Sequence, residues 1–240
     1  MSQTPPFTVQ IVPVTPFEQN CSIIRAASGR AAVVDPGGEP DKILAAAAKM
    51  GATIEKIWLT HGHLDHAGAA MEVQRATGAP IEGPQKEEVF WLSQIRESWR
   101  KFGIEDGEDC TPDRWLEDGD TLELDGIVFE TVYTPGHTPG HVVIFNREAK
   151  LAFVGDVLFA GSIGRTDFPR GDHATLIRSI TERLWPLGDD MRFVPGHGPM
   201  STFGRERQSN PFVADSLTGY QGAKTTAPDE IAQRTTKRWQ

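Results

Sequence analysis

Residues 60–66 read Thr-His-Gly-His-Leu-Asp-His, so three of the chain's seven histidines and one aspartate fall within six positions. The stretch before it, Ile-Glu-Lys-Ile-Trp-Leu-Thr (54–60), has the β-branched and aromatic bias of a strand, and the stretch after it, 65–78, has helical spacing ending on a glycine. The cluster therefore belongs on a strand-to-helix turn, where side chains at the edge of a sheet converge on ligands. A chain built this way must alternate strands and helices around a sheet, and the expected class is α/β.

The remaining segments fit that class. Short β-rich runs at 7–14, 21–26 and 30–38 precede a helix over 41–51, with Gly51 in the C-terminal capping position. An amphipathic helix is predicted over roughly 85–102, with Trp91 and Trp99 as packing anchors. Residues 118–134 read as a hairpin and strand, 141–146 and 150–159 as strands, 171–188 as a helix N-capped by Asp172, and 190–198 as a last strand. With 240 residues and no repeat or linker, one domain over 1–212 is the simplest organisation, followed by a polar, loosely held tail over 213–240.

Composition removes several function classes. A net charge of −9 argues against nucleic acid as a partner. No apolar run approaches 18 residues, so no membrane partner or transmembrane helix is expected. The first 20 residues lack a basic start followed by an apolar stretch, and the two cysteines, Cys21 and Cys110, show no pairing pattern; both point to a reduced, cytoplasmic setting.

Four places share one form, a strand, a turn and a potential metal ligand: 60–66, Gly136-His137, Gly155-Asp156 and Gly196-His197. His61 and His63 are one residue apart and face the same side of an extended segment, while Asp65 and His66 lie past the bend. With His137, Asp156 and His197 the candidates number seven. That is too many for one catalytic zinc, which takes three side chains and water, and fits two divalent ions bridged by a carboxylate. Zinc is the expected metal, with iron or manganese as alternatives. His141 is expected to support the ligands, His173 to face solvent, and Phe168 and Phe212 either to line a pocket or to pack.

These motifs resemble the metallo-β-lactamase superfamily: Thr-His-Gly-His-Leu-Asp-His fits its H-x-H-x-D-H signature, and 134–141, 153–159 and 194–198 resemble its later motifs in order. The resemblance, spanning about residues 10–212, implies an αββα sandwich of two mixed sheets flanked by helices. It implies His61, His63 and His137 at one metal, Asp65, His66 and His197 at the other, and Asp156 between them. The stretches 164–180 and 195–212 look like the small bacterial glyoxalase II-like hydrolases, the hydroxyacylglutathione hydrolase branch. That implies hydrolysis of a small-molecule thioester such as S-lactoylglutathione by a hydroxide shared between the metals, with Asp65 orienting it. Arg165 is expected to meet the substrate's carboxylate. Only 43 residues follow His197, too few for the helical domain of larger glyoxalase II enzymes. The alternative is a persulfide dioxygenase with a single iron on His61, His137 and Asp156, since Gly-Arg-Thr-Asp-Phe (164–168) also resembles that branch. A nuclease, a β-lactamase or lactonase, and a binding module without catalysis are further readings. The first conflicts with the acidity of the chain, and the last with a complete set of ligands.

Overall fold

The computed structural model describes residues 6–105 and 107–220. Phe7–Val14 (β1), Gln19–Ala26 (β2), Arg30–Val34 (β3), Thr53–Trp58 (β4) and Ile81–Glu82 (β5) lie side by side in that order, antiparallel over the first three strands and parallel over the rest. The second sheet contains Thr121–Leu124 (β6), Ile127–Tyr133 (β7), Val142–Asn146 (β8) and Leu151–Gly155 (β9). Leu158–Phe159 (β10) and Ser162–Ile163 (β11) form a separate hairpin, and Arg192–Pro195 (β12) and Ser201–Thr202 (β13) complete the second sheet in the order β13-β12-β9-β8-β7-β6. In this sheet only β12 and β9 run parallel, so both sheets are mixed.

Three apolar layers separate these sheets and their helices. Strand β3 shows why: Ala31 and Val33 join a cluster with Ile43 and Ala47 of helix Pro40–Lys49 (α1), while Ala32 and Val34 join Phe129, Ile144 and Phe153 of the facing sheet. A strand buried on both faces reads as a continuous apolar run, not as an alternation. Trp58, with no exposed surface, packs 4.9 Å from the Phe129 ring between the sheets. Beyond the second sheet, the helix His173–Arg178 (α6) widens into a π-type stretch over Ser179–Leu184 and packs Leu176, Ile180 and Leu184 on Val143, Phe145 and Val154. The expected αββα sandwich is the fold observed.

Two predicted helices are each broken. The first divides into Leu64–Ala67 (α2) and Ala70–Thr77 (α3), because the Ala69 amide leaves the helix to donate to the Pro36 carbonyl at 2.9 Å. The helix predicted over 85–102 divides into a 3-10 turn at Lys86–Glu88, then Val89–Leu92 (α4) and Ile95–Arg100 (α5); the Leu92 carbonyl accepts from Cys110 instead of continuing the ladder. Asp172 caps α6 as expected, accepting from the Thr175 amide at 2.7 Å. After Phe203–Ser209 (α7), residues placed by sequence in the loose tail are packed: Val213 is fully buried, and Asp215, opening Asp215–Thr218 (α8), pairs with Arg207. Residues 221–240 of that tail lie outside the described residues. Both cysteines are free and buried, and burial pushes the Cys110 thiol up to about 12. No helix among the described residues is long and apolar enough to cross a membrane.

Candidate metal centre

The chain ends of four strands and one turn meet at a single edge of the sandwich. From the first sheet, β3 leads to Asp35 and β4 leads to Thr60–His66; from the second, the β7–β8 turn carries His137, β9 leads to Asp156 and β12 to His197. Backbone bonds join the two sheets here, with the Val142 amide donating to the Thr60 carbonyl and the Asn20 amide to Gly196, at 2.9 and 2.7 Å. The approach is close enough to require glycine: a Cβ on Gly196 would run into the Asp156 carboxylate and the His66 ring.

All seven sequence candidates for metal binding are brought together, in sets. His61, His63 and His137 form one group whose ligand atoms lie within 4.8 Å of one another, and Asp65, His66 and His197 form another. His63 Nδ1 stands 3.1 Å from His61 Nε2 and 3.0 Å from His137 Nε2. Ligands of a tetrahedral ion bound at ~2.0–2.1 Å stand roughly 3.3 Å apart, close to these spacings. Asp156 lies between the groups, with Oδ1 3.3 Å from His66 Nε2 and Oδ2 3.6 and 3.7 Å from the Nε2 atoms of His137 and His197. Asp65 Oδ2 is 3.3 Å from His197 Nε2.

The outer ring nitrogens decide what the inner ones can do. His137 Nδ1 faces the Arg165 carbonyl at 2.7 Å and His197 Nδ1 the Phe17 carbonyl at 3.0 Å; a carbonyl only accepts, so each Nδ1 carries a proton and, in the neutral ring, each Nε2 is left as a lone pair. His66 Nδ1 likewise donates to Asp35 Oδ2 at 2.9 Å. Thr60 Oγ1 gives its own proton to Asp35 at 2.6 Å, which leaves it to accept from His61 Nδ1 at 3.1 Å. Four lone pairs thus point inward, and a single proton on His63 Nδ1 cannot satisfy both neighbours. His66 Nε2 and Asp156 Oδ1 are buried without a hydrogen-bond partner. A divalent cation would satisfy the three-histidine set, which a single proton cannot.

The electrostatics divide in the same way. Burial, then the neighbouring imidazoles, holds His61 and His63 below the usual histidine range, and burial lowers His137 despite the nearby Asp156; all three are neutral donors. Burial works against charge on His66 and His197 too, but Asp156, Asp65 and Asp35 outweigh it at His66, and Asp65 and Asp156 at His197, so both are raised. Desolvation works against charge on Asp156, which is mostly enclosed, yet His66, His137 and His197 hold it well below the carboxylate range.

Asp35 and Glu88 were missed by sequence reasoning. Asp35 follows the strand–turn–ligand form applied elsewhere and would have been found by applying it once more. Its carboxylate accepts from the Thr60 amide at 2.7 Å, from Thr60 Oγ1 and from His66 Nδ1. His141 supports the site as expected: Nε2 accepts from the Asp156 amide at 3.2 Å and the ring stacks on His61. Glu88, on an isolated turn, had no signal. Burial pushes its carboxyl up to about 7, against the opposing influence of Arg170 and of the backbone amides it accepts from. The folded protein therefore holds this proton over a range in which the unfolded chain releases it. The stability this contributes is complete below about pH 4.5 and is lost as pH rises to about 7. Relative to a Glu88→Gln protein, the wild type should lose roughly 3 kcal/mol across that window, read from denaturant unfolding at a series of pH values.

The rim of the site is aromatic and basic. Trp91 and Phe168 stand 4.6 and 5.3 Å from the His63 ring. Arg165 lies over Phe168 at 4.1 Å, exposed, and makes a bidentate pair with Asp167; Arg170 lies over Phe90 at 4.3 Å. Phe212 is exposed beyond α7, and His173 is exposed at the start of α6.

Residues 14–197 match the family described as the Metallo-beta-lactamase superfamily. The chain belongs to that superfamily. It is 46% identical over 206 residues to hydroxyacylglutathione hydrolase GloC of Haemophilus influenzae, an alignment covering 85% of this chain and 97% of that protein. Among solved structures it resembles the BLEG-1 B3 metallo-beta-lactamase, with a TM-score of 0.80, 32% identity, and coverage of 86% and 99% of the two chains. It also resembles TTHA1623 in a di-iron-bound form, with a TM-score of 0.77, 35% identity, and coverage of 85% and 100%. The superfamily, the fold and the hydrolase class expected from the motifs are those found, and the histidine clusters suit divalent ions.

Proposed function

We propose that this chain is a two-metal thioester hydrolase acting on a substrate such as S-lactoylglutathione. One observation carries the reading: two three-ligand sets converge on either side of one mostly enclosed carboxylate, Asp156, with their imidazole nitrogens turned inward. His61, His63 and His137 would hold one ion, and Asp65, His66 and His197 the other, with Asp156 shared. Zinc is the ion proposed, since neutral imidazoles and carboxylates are its common ligands, although imidazole also suits iron. Divalent ions in such a pair supply Lewis acidity, bringing water ionisation into the neutral range and polarising a carbonyl.

The residues provide the rest. Asp65, whose Oδ2 faces His197 Nε2 at 3.3 Å, would also accept a proton from the attacking water and aim it at the thioester carbon. The leaving thiolate has a conjugate pKa of roughly 8.5 and departs without a general acid. Trp91 and Phe168 shield the His63 side from solvent, and Arg165, held over Phe168, meets a carboxylate on the substrate. The single-iron dioxygenase reading leaves the Asp65–His66–His197 set without a purpose, and the hydrolase reading uses it. Similarity to the Haemophilus hydroxyacylglutathione hydrolase supports the same choice.

The deciding experiment is a panel of S-lactoylglutathione and coenzyme A thioesters on protein of known metal content. Two ions per chain, thiol release and loss of turnover in EDTA are expected; one iron per chain with oxygen uptake would sink the hydrolase reading. A subsidiary result is expected for Arg165→Ala: KM rises about tenfold for a carboxylate-bearing thioester, as one charge-assisted contact is worth, while a neutral thioester is affected much less.

A further inference from the structure

Glu88 has no exposed surface and belongs to neither candidate ion. Its Oε2 accepts from the Gly62 amide at 2.8 Å, and its Oε1 accepts from the Gly140 amide at 2.7 Å. Gly62 lies between His61 and His63 on the turn leaving β4; Gly140 closes the turn that carries His137. One carboxylate therefore spans the two turns whose three imidazoles must meet at one point.

The surroundings are shaped to this contact. A Cβ on Gly62 would come within 3.0 Å of Glu88 Oε2, and one on Gly140 within 2.8 Å of its Cγ, so both glycines leave room for this side chain. The Gln85 amide donates to the Gly140 carbonyl at 3.1 Å, anchoring the 3-10 turn that presents Glu88. Leu92 and Trp91 of α4, which follows directly, pack over Gly62. The Asp65–His66–His197 set is held differently, by Asp35 and the Phe17 carbonyl.

We propose that Glu88 is a positioning residue for the His61–His63–His137 centre alone, tying the two turns at the separation at which three imidazole nitrogens can hold one ion. The inference rests on the metal reading above. It makes the two centres unequal: loss of Glu88 loosens one and spares the other. Gln at this position keeps the shape but offers one acceptor to two amides, turning an NH2 toward a donor. Asp is one methylene shorter and reaches one amide of the two.

The test is titration of metal-free wild type, Glu88→Gln and Glu88→Asp with zinc or cobalt(II) against a competing chelator. It is run at pH 8, above the range in which Glu88 titrates, and repeated in a His197→Ala background that leaves the three-histidine centre as the main site. Far-UV circular dichroism confirms folding. The expected result is a 10–100-fold weaker three-histidine centre in Glu88→Gln, the range seen when support around metal ligands is removed. The other centre stays within threefold, and Glu88→Asp falls between. The weakening persists in the His197→Ala background, with a changed cobalt(II) visible spectrum. Unchanged affinity in a folded Glu88→Gln protein overturns the proposal, and so does equal weakening of both centres, which would mean general loosening. If Glu88→Gln does not fold, the split between centres in Glu88→Asp decides by the same criteria. A wild type that takes up no ion overturns the metal reading itself, a failure visible before any variant is compared.

Discussion

Asp156→Ala is expected to abolish retention of the ion pair and to lower kcat/KM on a thioester by roughly 10³-fold or more, the scale of losing a main stabiliser of transition-state charge. Asp156 is the group between the two ligand sets, within 3.3–3.7 Å of three inward-facing imidazole nitrogens. Removing it leaves those nitrogens facing one another, with Asp65 the one carboxylate left among the proposed ligands to offset two divalent cations. Metal content by elemental analysis and turnover on the same sample check the result together. A variant that kept normal turnover with both ions gone would overturn the mechanism. Asp156→Asn separates charge from shape: it retains one acceptor oxygen, and so should keep partial metal but little activity.

Asp35→Ala should cost about 3–5 kcal/mol of stability in the metal-free protein, the usual result of breaking a buried, hydrogen-bonded ion pair. The carboxylate is almost fully buried and accepts from the Thr60 amide, Thr60 Oγ1 and His66 Nδ1. Its loss orphans a backbone amide at the base of the ligand turn and removes the acceptor that keeps the proton on His66 Nδ1. For a chain of this size the midpoint of thermal unfolding should fall by roughly 10 °C. Metal affinity at the Asp65–His66–His197 set should fall about 10–100-fold. Denaturant unfolding of metal-free protein and chelator competition measure the two effects separately. If stability were unchanged, the account of Asp35 as the anchor of both Thr60 and His66 would be wrong.

How much of this was legible varied with distance along the chain. The proposed metal ligands were readable because they sit at turns that follow strand-like runs, and His63, His137, Asp156 and His197 come directly after a glycine. Strand β3 reads as apolar from Ala31 to Val34, and its burial on both faces over those residues explains why. The breaks at Ala69 and after Leu92 were not readable: in each case a backbone group leaves its helix for a partner, Pro36 or Cys110, whose position depends on the finished fold. The two-residue strands β5 and β13 are too short to show a period. Arg165 illustrates a third case: the sequence singled out its charge, while the fold also uses its carbonyl to set the tautomer of His137.

The sequence by itself determined the class of fold, the family and the seven side chains proposed as ligands, because hydrophobic period and ligand type are properties of short segments. The tertiary structure decided the spacing of those side chains, which ring nitrogen of each histidine turns inward, and that Asp35 and Glu88 accept from amides of the turns that carry them. Those outcomes depend on carbonyls, amides and carboxylates that are brought within hydrogen-bond reach only when the ends of strands from two sheets meet at one edge.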